Sequence, residues 1–129
     1  MGAYDSHFTG QITITPPLTW AEIRSPRQPG LQDVRLLLDE TVADTDTGRS
    51  TVITATAIAP LEIHYYNGYA IEEEIQAVID AHPSHEFTGM IEARPQDPDG
   101  TPWRYVVQGR RVVRQEPRLV WPDDSEVDQ

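Results

Sequence analysis

The side chains with chemical potential in this sequence are four histidines, many carboxylates, one aromatic run and an arginine-rich C-terminal hairpin. His82 and His85 stand three apart. A near-repeat, Phe8-Thr9-Gly10-Gln11-Ile12 and Phe87-Thr88-Gly89-Met90-Ile91, offers a way to bring His7 towards His85. Three imidazoles could hold zinc with one position open. Against this, Pro83 breaks the helix that would align an i, i+3 pair, and no HExxH-like carboxylate accompanies them. His7, His82 and His85 are therefore weak metal candidates, and no cofactor is expected. His82, at the end of a helix, is read as complementing the helix dipole.

The carboxylates are so numerous that some pair must look catalytic. Asp39 with Glu40 is one pair, and Glu72 to Glu74 is a run best read as the exposed first turn of a helix. The chain has no cysteine, which removes disulfides, thiol nucleophiles and zinc-thiolate sites. It has no lysine, which removes Schiff-base chemistry and a Walker loop. With no nucleophile elbow either, no catalytic set assembles, and an enzyme is the less favoured reading. His64-Tyr65-Tyr66-Asn67-Gly68-Tyr69 is an aromatic cluster able to line a pocket or form an interface, with Tyr65 and Tyr66 as binding candidates. Aromatic packing beneath a helix start is the competing reading.

Arg104, Arg110, Arg111, Arg114 and Arg118 make up half of the ten basic residues. A three-residue turn at Gln108-Gly109-Arg110 would pair Arg104 with Arg114 and Val106 with Val112 on one outer face. Trp103, Tyr105, Val107, Val113, Leu119 and Trp121 would then share the core side. The result would be a basic, partly apolar strip around Arg104, Arg114 and Arg118, fit for an anion or an acidic partner. The competing reading is a solvated face paired with acids of a neighbouring strand.

Several elements must position these groups. Phe8, Gly10, Ile12 and Ile14 alternate with polar residues as a strand that Pro16 and Pro17 should stop. Thr19 and Glu22 have capping-box spacing for a short helix closed at Ser25-Pro26. Strands near Val34–Val42 and Thr51–Ala59 flank the polar turn at residues 44–48, somewhat longer than the tightest hairpin loops. Ile71, Ile75, Val78, Ile79 and His82 recur with helical period, ended by Pro83. A strand from Phe87 to Ala93 and the arginine hairpin follow. The order β-α-β-β-α-β-β-β predicts an α+β fold: a mostly antiparallel sheet of about five to six strands with one long and one short helix. The 129 residues suit one domain, 1–121, before an acidic tail, 122–129, expected to be disordered.

A net charge of -11 argues against direct nucleic-acid binding. No stretch suits a membrane span or a signal peptide, so the expected location is the cytoplasm.

Four segments carry a likeness to known sequences: Phe8-Thr9-Gly10, Pro16-Pro17-Leu18-Thr19, His82-Pro83 with His85-Glu86-Phe87-Thr88-Gly89, and Val120-Trp121-Pro122. Through them the chain resembles an uncharacterised family of short acidic proteins of actinobacteria, chiefly streptomycetes, and of their phages. The resemblance covers most of the chain and brings no activity, cofactor or catalytic residue with it. It implies an accessory or host-interaction role.

The leading expectation is thus a non-enzymatic protein-interaction module, with a protein partner and homodimerisation in view. The alternatives are a small-molecule binder or enzyme built on His64, Tyr65 and Tyr66, and an acidic DNA mimic. The first alternative requires those side chains to converge on a closed pocket.

Overall fold

The computed structural model describes residues 5–127, and the elements follow the expected order. They are β1 (Ser6–Thr19), α1 (Trp20–Ile23), β2 (Val34–Thr45), β3 (Gly48–Pro60), α2 (Ile71–Ala81), β4 (Glu86–Pro95), β5 (Trp103–Gln108) and β6 (Arg111–Gln115). The strands form one antiparallel six-stranded sheet in the order β2-β3-β1-β4-β5-β6. The fold is α+β.

The core lies between α2 and one face of the sheet. Ile71, Ile75, Val78 and Ile79 of α2 are all buried, as the helical period requires. They meet Phe8, Ile12, Ile14, Val34, Ile58, Phe87, Ile91 and Tyr105, which occupy alternate strand positions. The other face carries Thr9, Gln11, Thr13, Thr88, Met90, Glu92, Arg104 and Val106, the polar-rich side that an antiparallel sheet can leave to water.

The near-repeat lies at the centre of this sheet. β1 and β4 pair about Gln11↔Met90, with Gly10 opposite Ile91 and Ile12 opposite Gly89. The two copies are thus related by a local twofold axis. Gly10 (φ +102°) and Gly89 (φ +125°) sit where a side chain would strike the neighbouring backbone: Met90 O in one case and Gln11 O in the other, each 2.5 Å from the missing Cβ. The glycines permit a close backbone approach in the ladder.

Two expectations about strand ends are corrected. Pro16 and Pro17 do not stop β1. The chain passes through an irregular stretch with a cis Thr15–Pro16 bond and rejoins β3 at Leu18↔Ala55. This stretch leaves the β3 ladder between Thr13 and Leu18, so the prolines take no bonds from β3 there. The β2–β3 turn is also tighter than expected, since Thr45 pairs with Gly48 across only Asp46 and Thr47. Gly48 (φ +122°) makes this possible by supplying the positive φ that a tight turn needs.

α2 fastens both edges of the sheet. Residues two apart on a helix lie about 200° apart, so Glu74 and Gln76 project from opposite flanks. The Glu74 carboxylate accepts the backbone N–H groups of Gln32, Asp33 and Val34 where β2 begins, at 2.9–3.1 Å. On the other flank, the Gln76 amide donates to Arg110 O and accepts from Val112 N at the start of β6, both at 2.9 Å. Asp33 answers by accepting the Ala70 N–H at the start of α2 (2.8 Å). The glutamate run is therefore not uniformly an exposed helix start. Glu72 and Glu73 are exposed, while Glu74 is a tie between helix and sheet.

Where disorder is expected in the acidic tail, residues 122–127 turn back on Leu119–Trp121. Val120 bridges Glu126, and Trp121 N donates to Ser125 O at 2.7 Å. Residues 128–129 lie outside the described residues.

Candidate functional site: a projecting arm and a histidine latch

The arginine strip does not form. The β5–β6 turn is Gly109-Arg110 alone, so Arg104 pairs with Gln115, Tyr105 with Arg114, Val106 with Val113 and Val107 with Val112. A one-residue change in register moves every side chain of one strand to the other face. Arg104 and Arg114 therefore project from opposite faces of the sheet. Arg114 lies on the side of Trp103 and Tyr105, and its guanidinium stacks over the Trp103 ring 4.5 Å from the centroid. The edge position lets it share the core-side face without being buried. Val113 moves to the open face, while Leu119 and Trp121, expected in the core, are exposed. Arg104 donates to the Gln115 side chain at 2.8 Å and, with Arg118, lines an open cleft of about 760 Å³. Glu92 and Glu116 line the same cleft, and Arg118 is paired with Glu126, so its charges are already balanced.

The aromatic cluster divides. Tyr66 turns inward against Phe8, with ring centroids 4.8 Å apart, and its hydroxyl donates to Asp33 O (2.8 Å) and accepts from Leu61 N (3.1 Å). Burial holds its phenol above the ordinary value. Tyr65 and His64 turn outward and meet His7 tilted or edge-on, and His7 Nδ1 is 2.7 Å from His64 O. An open groove of about 550 Å³ takes His7 and His64 at one end but neither tyrosine. The three side chains do not converge on a closed pocket.

The histidines do not form a metal triad. His7 pairs with Arg94 at one end of the β1–β4 ladder, and Thr15 with Glu86 at the other. At about 3.3 Å per residue, His7 and His85 are separated by roughly 25 Å along the strands. Among the described residues, no group of three or more His, Cys, Asp or Glu side chains is placed to hold a metal ion.

His82 and His85 instead build a latch between α1 and the α2–β4 turn. His85, 5% exposed, sets Nδ1 against Pro16 O (2.6 Å) and Nε2 against Glu22 Oε2 (2.8 Å). Glu22 is fixed by the Thr19 capping box, its other oxygen accepting the Thr19 N–H at 3.0 Å. Both ring nitrogens are thus engaged and the ring is buried. His82 Nε2 lies 2.6 Å from Gln28 Oε1. Burial depresses the His82 pKa below its ordinary 6.5, favouring the neutral ring. The dipole role expected of His82 falls to Arg110, which donates to the carbonyl oxygens of Ile79, His82 and His85 and covers the end of α2.

The latch gives stability a dependence on pH. The folded pKa of His82 is lowered, so the unfolded chain takes up its proton first, and stability is lost as pH falls through 6.5. Glu22 is lowered from 4.5, chiefly by the Thr19 backbone N–H and next by His85. Its contribution is present above 4.5 and disappears as pH falls further. Thermal scans from pH 8 to pH 4 should show both losses. H82Q should flatten the first and E22Q the second; an unchanged profile in both variants would refute the assignment.

The most exposed apolar side chains in regular secondary structure lie on the β2–β3 hairpin. β1 pairs with β3 only as far as Thr19↔Thr54. Beyond that point six pairs, from Glu40↔Ile53 to Thr45↔Gly48, continue as a two-stranded arm about 20 Å long with no third strand. Val42 (66% exposed) shares one face of the arm with Ile53, while Leu38 (55%) and Trp20 (43%) stand exposed at its root. Val52 is exposed on the other face. A lone two-stranded ribbon is marginal in water, so only its root holds this arm in place.

A sequence model described as a family of unknown function matches residues 2–129. The chain belongs to DUF6205. No curated protein and no solved structure matches it.

Within this DUF6205 chain the quoted motifs mostly serve the fold. Phe8-Thr9-Gly10 and Phe87-Thr88-Gly89 make the twofold ladder, while Pro16, Thr19 and His85 make the latch. Sequence reasoning missed Glu74, Gln76 and Arg110, whose partners are backbone atoms remote in sequence. It also missed the arm, whose signal is present: Val42, Val52 and Ile53 lie in strands that outrun the third strand.

Proposed function

We propose that this protein is a protein-interaction module whose contact element is the β2–β3 arm, serving an accessory or inhibitory role without catalysis of its own. One observation supports this above the rest. The arm leaves the sheet as a ribbon that contributes little to the core, with Leu38 exposed at its root and Val42 exposed along it. Exposed apolar side chains on a projecting element mark interaction surfaces. A binding face commonly owes its affinity to a few such anchors. The pairing of the latch histidines with structural partners and the divergence of Tyr65 from Tyr66 favour this reading over a small-molecule site. The open face, where Arg35, Arg94 and Arg104 mix with Glu92, favours it over a DNA mimic.

The test is the double variant L38S/V42S. Both side chains are already largely exposed, so its melting temperature should stay within about 2 °C of wild type. Recovery of the native partner from cells should fall at least tenfold. Full recovery with the double variant would overturn the proposal.

A further inference from the structure

The two edges of the sheet are treated differently. β6 is guarded by the Gln76 amide, which bonds Arg110 O and Val112 N in place of a neighbouring strand. The entrance to β2 is guarded likewise by Glu74 on the N–H groups of residues 32–34. Past Leu37 the outer edge of β2 has no such cover. Among the described residues, no side chain outside the β2–β3 hairpin hydrogen-bonds residues 38–45, and β2 is the last strand of the sheet. An open stretch of edge strand is a template for strand addition.

The charges along this edge define what would pair there. Asp39, Glu40, Asp44 and Asp46 crowd the arm, with Arg49 the one cation, already 3.3 Å from Asp44. A second copy of the chain would bring this acidic edge against its own like charges, on a protein already carrying -11. A basic strand would instead bring opposite charges together across the pair.

We propose that the outer edge of β2, residues 38–45, receives an extended basic segment of a partner protein as a seventh strand. Leu38, Glu40, Val42 and Asp44 share one face of this edge, so every second residue of that segment would be alternately apolar and basic, with Arg or Lys facing Glu40 and Asp44 and apolar residues extending the Leu38–Val42 stripe. This rests on the arm being the contact element, and it adds the partner's chemistry and mode of binding.

The probe is a ten-residue peptide in which every second residue is alternately valine and lysine, with threonine between, titrated into the whole protein at physiological salt and followed by backbone NMR. Two control peptides are used, one with glutamate for lysine and one N-methylated at alternate residues to block strand pairing. The lysine peptide should bind, with shifts and slowed amide exchange concentrated at residues 38–45. Both controls should lose at least tenfold in affinity, as should D39R/E40R with the lysine peptide.

Equal binding by the N-methylated peptide, or shifts spread over Glu72 and Glu73 of α2, would reduce the effect to general charge attraction and overturn the proposal. So would absence of binding. So too would a dimer in sedimentation that protects residues 38–45, since a second copy would then be the occupant. If L38S/V42S abolishes partner capture while these peptide results fail, the arm remains the contact element and strand addition alone is wrong.

Discussion

Replacing either Gly10 or Gly89 by alanine should cost about 3 kcal/mol of folding stability, for two additive reasons. Each glycine has a φ that L side chains rarely adopt, a strain of about 1–3 kcal/mol. Each added Cβ would also lie 2.5 Å from a carbonyl oxygen of the partner strand. That oxygen belongs to the backbone of a central ladder and cannot swing aside, so the strands must part, at a cost of about 1–3 kcal/mol. The local twofold makes the two positions equivalent, and the two variants should lose similar amounts. Domains of this size hold only about 5–15 kcal/mol in total, so the double variant should lose a large share of its stability. Urea denaturation measures both. A loss below about 0.5 kcal/mol in either variant would mean that the ladder is looser than its geometry implies.

Glu74→Gln should cost about 2 kcal/mol, a large effect for a change of one atom in a residue that composition would place on the surface. Three backbone N–H groups converge on the Glu74 carboxylate. All three bond Oε1, and Gln32 N–H reaches Oε2 as well; a glutamine replaces this charged acceptor by a neutral, weaker one and sets its NH2 against the Gln32 N–H. Glu73→Gln, on an exposed neighbour, should change stability by less than about 0.5 kcal/mol. Hydrogen exchange should localise the E74Q defect to the amides of residues 32–34. If E73Q and E74Q behave alike, Glu74 does not tie the helix to the sheet.

What the sequence disclosed and what it hid divide along a physical line. Periodicity reports which face of an element is buried, so α2 was legible from Ile71, Ile75, Val78 and Ile79, and β1 from Phe8, Ile12 and Ile14. Local chemistry was legible too: the Thr19–Glu22 capping box formed as its spacing required. The element order followed from these. Register did not, because a two-residue and a three-residue turn at Gly109 leave the same composition. One residue of slip was enough to send Arg104 and Arg114 to opposite faces. Long-range polar ties were equally hidden, since Glu74, Gln76 and Arg110 bond backbone groups 25 or more residues away. The same holds for His85, whose partner Glu22 is 63 residues distant. The arm emerges only when strand lengths are compared: β2 and β3 continue six pairs beyond the end of β1, a matter of pairing rather than of local pattern.

The claim on which the account rests is that this arm touches the partner. The most direct measurement is site-specific photo-cross-linking in the native cell, with the cross-linker placed in turn at Val42 on the arm, Gln11 on the open face of the sheet and Tyr69 before α2. The account predicts one discrete adduct from position 42 and none from positions 11 and 69. A discrete adduct from position 11 or 69, with none from position 42, would contradict it.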